Sequence, residues 1–188
     1  MSKYYISWSL NKKIYNYDIT RYIFKFISYK PIKKKIMKEK IKNNEYMDMN
    51  DGYGSIENWN VSNIINMNWL FCYCYEFNKD ISKWDVSNVT SMMWMFSYCG
   101  NFNQNLSKWN VSNVTCMDYM FYNCTNFNQD ISNWNISNVT NMCYILYSCE
   151  NFNQDLSKWN VSNVINMYKI FYDCKRLTNK PTWKWEWD

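Results

Sequence analysis

The chain has 188 residues and a formal net charge of +5. It contains 17 Tyr, 11 Trp and 10 Phe but only three Gly and two Pro. This composition supplies enough apolar bulk for a core and excludes a flexible linker or a collagen-like chain. The absence of His removes the commonest general base and the commonest zinc ligand.

The charge is divided unevenly between the two parts of the chain. Residues 1–50 hold 12 Lys/Arg and 4 Asp/Glu, a balance of +8. The remaining 9 basic and 12 acidic residues give residues 51–188 a balance of −3. We therefore predict a basic, helical N-terminal arm over residues 1–50, a repeat region over 51–180 and a C-terminal capping strand over 181–188.

A repeat of 25 residues fills the second part. Trp recurs at this spacing five times, and so does Cys. Phe recurs four times, and Leu177 continues its series. The members are Trp59, Trp84, Trp109, Trp134 and Trp159, then Cys74, Cys99, Cys124, Cys149 and Cys174, then Phe77, Phe102, Phe127 and Phe152.

Two local periods occur within each repeat. The segment that reads W-x-V spaces its apolar residues two apart, which is typical of a short strand. In the following segment, Met92, Met95, Phe96 and Cys99 stand at i, i+3, i+4 and i+7, which places them on one face of a helix. One such repeat cannot bury both faces alone, whereas stacked repeats can. The pattern predicts an α/β repeat fold, a leucine-rich-repeat-like solenoid of about five strand–helix rungs with a helical N-terminal cap.

The repeat also carries a family resemblance. Over residues 58–180 it follows the pattern F-N-Q-D-[LI]-S-x-W-[ND]-V-S-N-V-T-x-M-x-x-M-F-x-x-C. This pattern resembles the BspA-like leucine-rich-repeat surface proteins, also known as a 25-residue Mycoplasma-type lipoprotein repeat of unknown function. The resemblance implies a leucine-rich-repeat-like solenoid and a role in protein interaction or adhesion.

The basic arm allows three interpretations. Residues 17–28 and 31–42 can form helices that cap the first repeat, the second helix opening near Pro31. Alternatively, residues 30–42 can contact nucleic acid or an anionic membrane. In the third interpretation, residues 15–28 resemble the opening helix of an F-box, which implies a Skp1-type partner and a substrate-adaptor function.

Most repeated polar residues and thiols have a structural interpretation. The Cys series predicts a column of small buried thiols, since side chains on packed neighbouring units lie too far apart for disulfides. The Asn and Ser residues of each W-x-V-S-N segment satisfy turns, and Asp80, Asp130 and Asp155 are turn or surface groups. At the C-terminus, alternating Trp183, Trp185 and Trp187 predict the capping strand.

A stripe of aromatic residues varies from repeat to repeat and is the candidate partner-binding surface, because Trp and Tyr dominate interface hot spots. The alternative is that these residues pack between neighbouring helices. The stripe comprises Trp69, Trp94, Tyr119, Tyr144, Tyr122, Tyr147 and Tyr172.

These patterns favour a non-enzymatic protein–protein interaction module with no cofactor, metal or small-molecule substrate. The alternatives are the F-box-like adaptor and a cell-surface adhesin. No secretory signal or membrane-spanning stretch stands out. We therefore expect an intracellular protein, whereas the family resemblance implies the cell surface.

Overall fold

The computed structural model describes residues 31–43, 53–178 and 180–183. In this part of the chain the regular elements are helix α1 (Lys34–Lys42) and a 3-10 helix (Ile56–Asn58). Within the same residues, isolated parallel β-bridges rather than β-strands link the repeats. The predicted α/β solenoid of strand–helix rungs is therefore wrong. Residues 15–28, which carry the F-box interpretation, and residues 184–188 lie outside the described residues.

Each repeat is a chain of tight turns. We number five units, which begin at Trp59, Trp84, Trp109, Trp134 and Trp159. Within each unit the Trp is position 1, and the following residues are numbered along the chain to position 25. In unit 3 the backbone N–H groups of six residues bond the carbonyl three residues earlier, which is the hydrogen bond of a β-turn. They are Trp109, Val114, Met120, Tyr122, Cys124 and Phe127, at 2.9–3.1 Å. We call the five units together the turn stack.

Adjacent units are joined by backbone hydrogen bonds. Tyr119 N–H bonds the carbonyl of Cys143 at 2.9 Å, and Asn123 N–H bonds that of Tyr147 at 2.8 Å. The parallel bridges Ser91–Cys116 and Cys116–Asn141 pair residues that lie 25 apart in the chain. The units therefore lie side by side, in register, without forming strands long enough to be a sheet.

The side chains predicted to share one face of a helix lie instead on one face of two successive turns. Met117 and Met120 begin and end one turn, and Phe121 and Cys124 begin and end the next. All four side chains are buried, as the sequence predicts, because turn corners recur at the same i, i+3, i+4, i+7 spacing as a helix face. Such a short segment, rich in Asn, Tyr and Cys, is a poor helix.

The turns require left-handed backbone at two places in each unit. Positions 11 and 15 have φ between 50° and 65°, although none of these residues is Gly. This is the conformation that a type II turn needs at its third residue. It costs a side-chain-bearing residue about 1–2 kcal/mol. The N–H groups of these residues bond the next unit in units 1 to 4, which offsets that cost.

Columns of identical side chains form the core. Phe96 and Phe121 stack with centroids 5.6 Å apart, and Phe102 and Phe127 with centroids 6.1 Å apart. Each Trp at position 1 is buried, and in all five units its indole N–H bonds a backbone carbonyl, as between Trp109 and Ile81 at 3.2 Å. The predicted repeat is confirmed, with its apolar residues inside.

Both ends of the turn stack are covered in part. Pro31 bridges Asn60, and α1 buries Met37 and Ile41 in the same core as unit 1. At the other end, the Trp183 ring stacks on that of Trp159 at 6.2 Å. Trp183 thus continues the Trp column one residue early, although residues 181–183 are not a strand.

We expect the free energy of unfolding of Asn123→Gly to be at most about 0.5 kcal/mol below that of wild type, because Gly accepts positive φ at no steric cost. Asn123→Val should lose about 1–2 kcal/mol, because a β-branched residue is strained there. Urea unfolding followed by circular dichroism measures both. If this segment were a helix, Asn123→Gly would be the less stable of the two variants, since Gly is a poorer helix former than Val.

Candidate functional site

The aromatic stripe of the sequence forms one continuous surface of stacked rings. Its first column lies at position 11, where the Trp69–Trp94, Trp94–Tyr119 and Tyr119–Tyr144 centroids are 4.7, 4.1 and 4.7 Å apart. Interplanar angles are 4–12°. The left-handed backbone at position 11 accompanies every ring of this column.

A second column lies beside the first, at position 14 of units 3 to 5. The Tyr122–Tyr147 and Tyr147–Tyr172 centroids are 4.8 and 4.9 Å apart. Tyr122 also contacts Tyr119 of the first column at 5.7 Å, with tilted planes. The structure thus brings together all seven residues predicted from the sequence, although they pack on one another across turns rather than between helices.

Two residues of this surface were missed by the sequence analysis. Tyr73 and Tyr98, at position 15 of units 1 and 2, stack at 4.7 Å, and Tyr98 contacts Tyr122 at 5.4 Å. The 25-residue spacing of this Tyr pair is visible in the sequence. We call the whole surface the aromatic ladder; it comprises Trp69, Trp94, Tyr119, Tyr144, Tyr122, Tyr147, Tyr172, Tyr73 and Tyr98.

The aromatic ladder offers ring edges rather than ring faces to solvent. Because neighbouring rings are nearly parallel and 4.1–4.9 Å apart, each interior face is covered by the next ring. Exposure is greatest at the ends, where Tyr73 is 68% and Tyr172 50% exposed. At the last unit, Lys169 replaces the ring at position 11, and its Nζ lies 5.0 Å from the Tyr172 ring centroid.

Burial among the rings changes the acidity of the phenols. It raises the pKa of Tyr122 to about 12, with a further contribution from the neighbouring Tyr98. Burial, followed by Cys143 and Tyr144, also raises the pKa of Tyr119. These hydroxyls therefore stay neutral at physiological pH and can donate hydrogen bonds to a partner.

The Cys series is a structural column. The thiols of Cys99, Cys124, Cys149 and Cys174 each bond the position-13 carbonyl of the preceding unit at 2.9–3.0 Å. All four are buried, as predicted, whereas Cys74 is half-buried. Burial raises the pKa of the Cys124 thiol well above its usual range, which leaves almost no reactive thiolate.

The repeated polar side chains also stabilise the turn stack. Asn113 Nδ2 bonds the carbonyl of Ser87 at 2.7 Å, and the equivalent Asn residues of units 2, 4 and 5 do the same. Asp80, Asp130 and Asp155 each accept the amide of the Ser two residues later at 2.9 Å, which confirms them as turn residues. The Ser82 hydroxyl and amide lower the pKa of Asp80.

Two further features lie near the N-terminal end of the turn stack. A cleft of about 360 Å³ separates the end of α1 from unit 1, lined by Ile41, Lys42 and residues 73–79. In α1, Lys40 is only 6% exposed and Lys34 Nζ bonds Asn66 Oδ1 at 2.6 Å, so part of the basic helix serves packing. Across the described ranges, no three Cys, Asp or Glu side chains are placed to hold a metal ion.

The comparisons with known proteins define the family. The family described as "Mycoplasma protein of unknown function, DUF285" matches residues 35–149 and 108–188, and the chain belongs to it. Neither the curated proteins nor the solved structures contain a match. Within the described residues, none of the helices is long and apolar enough to cross a bilayer.

We expect alkylation of the native protein to distinguish the thiols by burial. Iodoacetamide should modify half-buried Cys72 and Cys74 well before Cys124 and Cys149, which should react only after unfolding. Peptide mass spectrometry over a time course measures the order. Early modification of Cys124 in folded protein would contradict the buried column.

We expect Tyr122→Phe to resist alkaline unfolding better than wild type. The folded-state pKa of about 12 lies above the usual 10.0, so the neutral phenol stabilises the folded chain below pH 10. That contribution is lost as the pH rises from 10 through 12. Urea titrations at pH 8 and about pH 11 should show a smaller loss of stability in the variant. Equal losses would mean that the Tyr122 pKa is unperturbed by folding.

Proposed function

We propose that the protein is a non-enzymatic protein–protein interaction module that binds its partner through the aromatic ladder. The observation that carries this proposal is the continuity of nine stacked rings along one surface, in positions that the core does not need. Trp and Tyr give large contact areas at low entropic cost and are enriched in interface hot spots.

The geometry of the rings favours a protein partner over a nucleic acid or a sugar. Stacking of bases needs free ring faces, whereas the interior rings of the ladder cover one another. Ring edges and neutral phenol hydroxyls suit the mixed apolar and hydrogen-bonding surface of a protein. Charged residues at ladder positions are few, Lys169 and Asp173 both belonging to unit 5.

The resemblance to BspA-like surface proteins supports the same general role, because it implies interaction or adhesion. A surface adhesin is the more specific form of this proposal. Protease treatment of intact cells tests it, since an adhesin is cleaved under conditions that spare an internal control protein.

We expect Tyr119→Ser and Tyr144→Ser each to weaken partner capture about 30-fold, the effect of losing a hot-spot contact of about 2 kcal/mol. The measurement is affinity capture from the source cells with quantitative mass spectrometry, comparing tagged full-length wild type and variants.

Lys108→Ser is the matched control, because Lys108 is exposed and lies outside the ladder. Circular dichroism verifies that each variant is folded. Equal capture of one partner by wild type and by both Tyr variants would refute the ladder as its binding surface.

A further inference from the structure

The last unit of the turn stack leaves part of its backbone without hydrogen-bond partners. In units 1 to 4, the N–H groups at positions 9, 11 and 15 bond carbonyls of the next unit, as those of Tyr144 and Ser148 do at 2.8 Å. Met167, Lys169 and Asp173 hold these positions in unit 5, and their N–H groups have no acceptor among the described residues. We call these three donors the open edge. Unpaired donors of this kind are a site where another chain can add its own backbone.

The open edge keeps the conformation in which the inner units pair. Lys169 and Asp173 have φ of 50° and 59°, against 55° and 53° at Tyr144 and Ser148 of unit 4. In the inner units, the donors at positions 9, 11 and 15 bond carbonyls at positions 8, 10 and 14 of the next unit. A segment that offers the carbonyls of residues i, i+2 and i+6 therefore fits the open edge, and the donors need little further ordering to bind it.

The side chains around the open edge leave room for such a segment. The Trp183 ring lies over other parts of unit 5, where it stacks on the rings of Trp159 at 6.2 Å and Phe171 at 6.1 Å. Phe171 is therefore not counted among the open donors. Ile165 and Tyr168 precede these donors in the chain and are 73% and 45% exposed. They add apolar contact area beside the backbone donors.

Charge distinguishes unit 5 from the rest of the turn stack. Residues 59–158 hold 4 Lys/Arg and 7 Asp/Glu, a balance of −3, whereas residues 159–183 hold 4 Lys/Arg and one Asp, a balance of +3. Lys175 is paired with Glu150 of unit 4 at 2.6 Å. Lys169 and Arg176 form no ion pair within the part of the chain that the structure describes. Lys169 carries one of the open donors and Arg176 follows the last of them by three residues, so unpaired positive charge flanks the open edge.

We propose that the open edge of unit 5 binds an extended, acidic segment of a partner protein. The carbonyls of that segment accept the N–H groups of Met167, Lys169 and Asp173, and its carboxylates face Lys169 and Arg176. A peptide is the favoured occupant over another anion, because the same donors of the inner units already bond peptide carbonyls. This contact lies at the end of the turn stack and does not depend on the proposed role of the aromatic ladder.

Hydrogen exchange followed by NMR in the full isotope-labelled chain tests whether the edge is open. In the free protein, the amides of Lys169 and Asp173 should exchange at least about tenfold faster than those of Tyr144 and Ser148, which hold the same positions in unit 4. A peptide of alternating Thr and Glu, which favours an extended conformation, should slow the first two and leave the second two unchanged.

Two outcomes of the exchange measurement overturn the proposal. Protection of Lys169 and Asp173 in the free protein would mean that another segment of this chain, such as residues 184–188, occupies the edge. Exchange that the Glu peptide does not slow would mean that the edge does not bind an extended segment.

Fluorescence anisotropy with the same peptide, labelled with fluorescein, tests the charge requirement. The Glu peptide should bind wild type more tightly than a peptide of alternating Thr and Lys. Lys169→Gln/Arg176→Gln should raise its dissociation constant about tenfold. Lys83→Gln/Lys108→Gln is the matched control, because it removes the same charge from exposed residues of units 1 and 2 and should bind like wild type. Circular dichroism verifies that both double variants are folded.

An equal loss of affinity in the two double variants would show an effect of net charge alone and overturn the site. Tighter binding of labelled oligothymidylate than of the Glu peptide would overturn a protein partner. The ladder and the open edge fail separately. Tyr119→Ser should bind the Glu peptide like wild type whether or not it loses partner capture.

Discussion

The backbone hydrogen bonds between adjacent units are the interaction on which this molecule depends. Within a single unit, the left-handed residues at positions 11 and 15 would be strained without compensation. Carbonyl groups of the neighbouring unit accept hydrogen bonds from their N–H groups, as the Cys143 carbonyl does from Tyr119. These hydrogen bonds fix the backbone conformation from which the rings of the ladder project. In units 1 to 4 that pairing stabilises both the turns and the rings that they carry.

The same pairing explains why so much of each unit repeats. In units 2 to 5, the side chains of an Asn, a Cys and a Trp donate hydrogen bonds to backbone carbonyls of an earlier turn, at a fixed spacing along the chain. The same residue is therefore needed at the same position of each unit. These donors satisfy backbone carbonyls that a sheet or helix would otherwise satisfy. Residues that carry function are therefore sought among those that vary, which include positions 10, 11, 14, 15 and 17.

The sequence was sufficient to predict the 25-residue period, the buried columns and the aromatic surface, because all three depend only on which residues recur. It was insufficient for the secondary structure of the repeats, although the helix expected over residues 31–42 is found at Lys34–Lys42. The spacing of Met117, Met120, Phe121 and Cys124 suits a helix face and a pair of turns equally, and only the pairing with the next unit distinguishes them. Tyr73 and Tyr98 were missed because the helix interpretation followed positions 11 and 14 and gave position 15 no role.

Hydrogen-bond scalar coupling in isotope-labelled protein tests the central claim most directly, because it identifies the carbonyl that each amide bonds. The turn stack predicts a coupling between the Tyr119 nitrogen and the carbonyl carbon of Cys143, in the next unit. A coupling from Tyr119 to Thr115, four residues earlier in its own unit, would show a helix and contradict the account.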